Sequence, residues 1–404
     1  MEAHPAVAGH PQGAQEVGAT TKRRPANPQR TLLSYWGFYG GAEHDLASLS
    51  TGALRGGPAI VAAAGAALTL AGGAAAQERF TIDGERAAVY NVAGTMRVEA
   101  GSGSSVVVEV TRAGNDAGQL RVRRTDSGDV ATVAVVYPDG DVVYPELGGG
   151  SRTTLDVRSD GTFGGDNGFR LGGGNRITVR GSGSGTRAWA DVRVLVPAGR
   201  SVSIHHAVGR IDVVNVDGDV QVKGYAARIE ASGTRGRLDL DTGSGGIVVT
   251  NAEGDVRLDT GSGGVRLNGV RGSGLDVDTG SGGVNGSDVS VGRLHVDVGS
   301  GGVRLEAVDA RDVDIDTGSG SVVLRLRRDA EQVKIDTGSG GVTLGLPQGF
   351  GADAEIDTGS GGIRVDVPST VRRSNRSHFS GTFGDGEGRL VIDTGSGGVS
   401  VVRN

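Results

Sequence analysis

Cysteine is absent from the chain. That absence excludes disulfides, thiol catalysis and lipid modification of an N-terminal cysteine, so an exported form must hold together by packing and hydrogen bonds alone. Aromatic residues make up only 4% of the sequence. A core of Val, Leu, Ile and Thr needs few of them when it is built from thin stacked layers. A basic excess is lacking too: 41 Lys and Arg face 47 Asp and Glu, for a net charge of −6. This argues against a nucleic-acid partner, which calls for a basic patch or stripe. Between residues 201 and 404 no helix-length segment shows a 3.6-residue hydrophobic period, which argues against a βα repeat.

Glycine is abundant, at 75 of 404 residues, and its placement is regular. Asp241-Thr242-Gly243-Ser244-Gly245-Gly246 returns nearly unchanged at Asp259, Asp278, Asp297, Asp316, Asp336, Asp357 and Asp393, with starts 18, 19, 19, 19, 20, 21 and 36 residues apart. A fixed period near 20 residues is the signature of stacked repeats. Apolar and polar residues alternate before each turn, as in Leu238-Asp239-Leu240 and Val313-Asp314-Ile315, and again after it, as in Val265-Arg266-Leu267 and Val342-Thr343-Leu344. Period-2 alternation marks strands with one buried face. We therefore expect an all-β chain, a β-solenoid of repeats near 19 residues, each with two short strands. One tight Gly-Ser-Gly turn and one looser turn, such as Asn251-Ala252-Glu253-Gly254, would join them. Positive φ in the tight turn would account for its glycines.

Carried through the turn, the alternation points Asp241 outward and Thr242 inward. Val298 replaces the threonine in the fourth copy, which suits a buried column and not hydroxyl chemistry. The eight aspartates would form a row of like charges, relieved if each carboxylate accepts N–H groups from its own turn. A Ca²⁺ ladder is the sharper alternative, but one carboxylate per repeat supplies few of the six to eight oxygens Ca²⁺ takes. Asp-Thr-Gly-Ser also matches the active-site signature of aspartic proteases, which need two aspartates sharing a proton. Eight copies in a row on a regular surface do not form that pair, and we expect no enzyme, no catalytic residue and no cofactor. The Gly-Ser-Gly-Gly turns lack the lysine and following helix of a phosphate loop. His205-His206 would point to opposite faces of a strand, one at the surface and one at the core edge.

In chain order, residues 1–53 read as a disordered or mis-started extension. Residues 54–76 read as a signal peptide, with Arg55, an apolar run from Pro58 to Ala71 and a small-residue cleavage site at Ala74-Ala75-Ala76. Residues 77–200 form an irregular β-rich region with a Gly- and Asp-rich loop from Leu147 to Gly174. The solenoid spans residues 201–404. Its final 36-residue interval holds Arg372, Arg373, Arg376, His378, Phe379 and Phe383, where basic and aromatic residues cluster. That segment is a divergent end cap or a binding loop.

Several phrases in this order resemble a bacterial family of exported β-strand-repeat proteins labelled "putative adhesin", a domain of unknown function. They are Tyr90-Asn91-Val92-Ala93-Gly94, Val194-Leu195-Val196-Pro197-Ala198-Gly199, Gly218-Asp219-Val220-Gln221-Val222, Leu346-Pro347-Gln348-Gly349 and Gly384-Asp385-Gly386-Glu387-Gly388. The resemblance covers residues 80–404. It implies a β-solenoid and an envelope or surface location, and brings no catalytic residues. The expected function is non-enzymatic and adhesin-like: a repetitive surface, with Arg266, Arg304 and Arg364 outward, that binds an envelope polymer, a glycan or a protein, with no membrane span in the mature chain. The alternatives are a periplasmic envelope-stress or signalling accessory and a polysaccharide-acting β-helix enzyme.

Overall fold

The computed structural model describes residues 77–164 and 174–404. The expected extension and signal peptide lie outside the described residues, as does part of the loop 147–174. What is described is nearly all β, as the alternation requires.

Parallel strands stack in register, one rung on the next. The segment before the tight turn runs through Val220–Ser232, Leu238–Thr242, Val256–Thr260, Val265–Thr279, Val284–Val298, Val303–Thr317 and Gln332–Thr337 without a slip. A one-residue slip would turn every apolar side chain outward, so the alternation holds the register. Inside, Leu240, Leu258, Val277, Val296, Ile315 and Ile335 form one fully buried column. Ile247, Val265, Val284, Val303, Val322 and Val342 line the wall after the turn and are likewise buried.

Two local expectations are corrected. The looser turn is built on a one-residue corner, and in Val265–Thr279, Val284–Val298 and Val303–Thr317 that corner lies within a continuous strand of 15 residues. Asn215, Gly233, Asn251, Gly269, Asp288 and Ala307 take left-handed φ values of 53–70° there, one per rung. Asn, Asp and Gly tolerate that region best. The tight-turn glycines, by contrast, do not have positive φ. A Cβ on Gly263 would overlap the Gly245 carbonyl, and one on Gly282 the Gly263 carbonyl. Close approach of stacked backbones, not left-handed φ, makes these positions glycine.

The boundary placed at residue 200 does not separate two packing units. Arg86–Ala100 pairs in parallel with Ser201–Val214 from Arg86↔Ser201 to Glu99↔Val214, and so forms a rung of the same stack. It bears Val130–Val136 on one half and Trp189–Val196 on the other. These are covered in turn by the antiparallel strands Arg121–Ser127 and Val106–Ala113. Gly140–Val143, Asn175–Arg180 and Arg152–Val157 form a separate small sheet.

At the other end the rungs do not follow chain order. The C-terminal strands Gly388–Thr394 and Val399–Arg403 lie between the rung of Gln332–Thr337 and Val342–Leu346 and the rung of Ala352–Thr358 and Ile363–Val365. Beyond Ala352–Thr358, the antiparallel strands His378–Phe383 and Thr370–Ser374 close the stack.

Candidate functional site

The Asp-Thr pairs sort their side chains as alternation demands. Thr242, Thr260, Thr279, Thr317, Thr337 and Thr394 are buried, as is Val298, while each aspartate of the repeat is half-buried or exposed. The expected carboxylate caps are not what closes the turns. Threonine does it: Gly263, Gly282 and Gly320 donate their N–H groups to the hydroxyls of Thr260, Thr279 and Thr317 at 3.0, 2.9 and 3.0 Å. The Thr279 hydroxyl then donates to the Gly282 carbonyl at 2.9 Å, and Thr358 to Gly361 at 2.9 Å. The turn curls toward the interior, where the threonine points and the aspartate does not.

The aspartates form one column, in the spatial order Asp241, Asp259, Asp278, Asp297, Asp316, Asp336, Asp393, Asp357. Partial burial first, and then the neighbouring Asp259 carboxylate, push Asp241 up to about 6. Asp259, Asp278, Asp316 and Asp393 are raised, again chiefly by burial. Both ends of the row meet a basic residue. Lys223 is the register partner of Asp241, and its charge opposes the upward shift. At the far end His378 Nδ1 lies 2.7 Å from Asp357. Past Lys223 the same column continues to His205 and Tyr90, whose rings stack at 4.1 Å and 6°. Phe163 meets Tyr90 and Tyr225 edge-on, and Tyr225 remains exposed.

Two residues before the first six aspartates runs a second column in which carboxylates alternate with basic residues rung by rung: Asp239, Arg257, Asp276, His295, Asp314, Lys334. Arg257–Asp276 and Lys334–Asp314 are both 3.3 Å ion pairs. Opposite charges directly across a strand pair favour this register, and like charges would oppose it. Sequence reading treated these residues as generic outward positions. Only comparing equivalent positions of successive repeats would have exposed the alternation.

Of the arginines expected on the wall after the turn, Arg304 pairs with Glu306 at 3.2 Å and Arg364 with Asp366 at 2.6 Å. The guanidinium of Arg266 has no partner among the described residues. The suggested binding loop around residues 369–388 is built differently from that expectation. Phe379 and Phe383 are buried, stacked at 5.8 Å beneath the cap, and cannot meet a partner. Arg372 is held by Asp353 and by the Thr382 hydroxyl. Arg372 and Arg373 lie on the outermost strand, Thr370–Ser374, as Arg121, Arg123 and Arg124 do on the opposite outer strand Arg121–Ser127. Charge on an exposed edge discourages pairing with another chain.

His206 is fully buried. Its Nε2 lies 2.9 Å from the Gly94 carbonyl, its Nδ1 has no partner, and burial pulls its pKa down to about 4. Among the described residues no group of three or more His, Asp or Glu side chains is arranged to hold a metal ion, and no helix is long and apolar enough to cross a membrane.

Residues 208–402 match the family model described as Toastrack DUF4097, a domain of unknown function. The chain is also similar to a crystal structure from Clostridium sporogenes ATCC 15579 described as a "putative cell adhesion protein". The identity is 10%, over 81% of this chain and 100% of that chain, at a TM-score of 0.18. No curated protein matches.

Proposed function

We propose that this chain is an exported, non-enzymatic, adhesin-like binding module whose solenoid faces contact a repetitive envelope polymer, glycan or protein. The observation that carries this reading is the in-register repetition. A carboxylate recurs on every rung through eight rungs, six of them beside a column in which carboxylates alternate with basic residues. Rung spacing of about 4.8 Å sets a fixed pitch of polar groups that a flexible repeating ligand can follow. The carboxylates are spread evenly along a wall and do not converge on one point with a base, as catalysis would ask.

The test has two parts. Intact cells are treated with protease and then fractionated, and the chain is expected to be cleaved on whole cells. Protection until the outer envelope is opened would remove surface display from the reading. Purified protein is then assayed against cell-envelope polymers, with Asp278→Asn/Asp297→Asn expected to weaken binding at unchanged thermal stability.

One observation favours a second reading, a polysaccharide-acting enzyme. Asp241, with its raised pKa, is the register partner of Lys223 beside the Tyr90, His205, Phe163 and Tyr225 rings. Turnover on a polysaccharide panel that disappears in Asp241→Asn would establish it.

A further inference from the structure

Gly274 lies inside the strand Val265–Thr279 without a structural reason to be glycine. Its φ is not in the left-handed region, and a Cβ added there would meet nothing within 4 Å. Glycine in a strand interior costs conformational entropy and packs nothing. Other strand glycines of the stack do have a reason. Gly272 would collide with the Gly254 carbonyl, Gly292 with the Ser273 carbonyl and Gly286 with the Leu305 side chain. What Gly274 leaves is open space, a notch of about 370 Å³ on the wall before the tight turn.

The charges around that notch have a sign. Arg237, Asp255, Gly274 and Arg293 are successive residues of one column, the last two direct register partners. Arg237 and Arg293 therefore flank the notch three rung steps apart, roughly 14 Å along the wall. Neither guanidinium has an ion pair or hydrogen-bond partner among the described residues. Both carboxylates at the notch are already engaged, Asp255 by the Ser273 hydroxyl and Asp276 by Arg257 at 3.3 Å. Two exposed forks of N–H donors thus remain on either side of a site emptied of its side chain. Arginine presents its donors in the planar geometry that carboxylate and phosphate accept.

We propose that the Gly274 notch binds the anionic groups of an acidic oligosaccharide or phosphodiester polymer, with Arg237 and Arg293 contacting two charged groups of one chain. The proposal deepens the polymer-binding reading above and rests on it. It assigns a site and a ligand sign that the aspartate column does not suggest.

The test uses labelled oligogalacturonate, a glycerol-phosphate oligomer and neutral dextran of matched length, read by fluorescence anisotropy at low and high salt. At least one anionic oligomer is expected to bind the wild-type chain, with dextran at least tenfold weaker. Gly274→Val fills the notch, and Arg237→Ser/Arg293→Ser removes its cations. Each is expected to weaken binding at least tenfold at a Tm within a few degrees of wild type, while Arg152→Ser, on the separate small sheet, changes affinity less than twofold. The better of the two anionic oligomers identifies carboxylate or phosphodiester as the group preferred. Anionic oligomers that bind equally well to Gly274→Val would overturn the notch and leave the polymer-binding reading standing. Dextran binding as tightly would overturn the ligand's sign, and binding of none of the three would overturn the site outright.

Discussion

Asp336 and Asp393 are direct partners across a parallel strand pair, although Asp357 lies between them in the sequence. The C-terminal rung therefore enters a slot whose two walls come from earlier parts of the chain. Truncation after Glu387 removes Leu390, Ile392, Val399 and Val401, all buried, and leaves two apolar walls facing each other across a gap. A substantially lower Tm and binding of a hydrophobic dye are expected, with a peptide of residues 388–404 restoring both in trans. An unchanged melting curve would show that the slot closes without its rung.

The buried threonines carry the turns, so they are sensitive to loss of the hydroxyl alone. Thr279→Val keeps the shape but removes the acceptor for the Gly282 N–H and a donor to its carbonyl. Leaving a buried amide unpaired costs about 1–3 kcal/mol. Val298→Thr, in the one copy without a hydroxyl, is expected to cost nothing or to stabilise slightly. Urea denaturation of the two variants checks the contrast, and equal destabilisation by both would contradict the account.

Ala307 holds the corner position with φ 53° where the other rungs place Asn, Gly or Asp. The left-handed region costs an L-residue with a Cβ about 1–2 kcal/mol. Ala307→Gly should therefore stabilise by roughly 0.5–1 kcal/mol after the entropy that glycine loses on folding. Chemical denaturation of this variant against wild type measures it, and a loss of stability would mean the strain is relieved elsewhere.

Buried His206 and half-buried Asp241 pull stability in opposite directions on acidification. His206 is held neutral with its pKa near 4 in the folded chain, against about 6.5 unfolded. Its contribution is present above pH 6.5 and is lost as pH falls toward 4, about 3 kcal/mol in all. Asp241 is raised to about 6. Its contribution is present below the ordinary carboxylate value near 4 and is lost as pH rises through 6. Denaturation series from pH 7 to pH 4 should show a shallower acid loss for His206→Leu and a steeper one for Asp241→Asn than for wild type. Parallel curves for all three would remove both assignments.

Much of the architecture was written in the sequence, because period-2 alternation and an in-phase turn permit one stacking register. Asp241, Thr242 and Val298 could be assigned a face without coordinates. The direction of a side chain did not reveal its bonding partner, so the threonine hydroxyl was mistaken for a spectator and the aspartate for the cap. Phe379 and Phe383 looked like surface aromatics beside arginines. A cap strand folds them under, because alternation within His378–Phe383 puts both on the inner face.

By itself the sequence determined the all-β stack, its pitch and its inner and outer faces, since these depend on neighbours one or two residues away. Tertiary structure decided what depends on distant chain segments. It placed Arg86–Ala100 as a rung of the solenoid and inserted residues 388–403 between two earlier rungs. It made Gly263 and Gly282 obligatory through contact with the rung below, and it left Gly274 open beside Arg293. Hydrogen bonds between near-identical parallel strands are satisfied by any rung of matching register. Only the packing of the whole chain selects which rung lies against which.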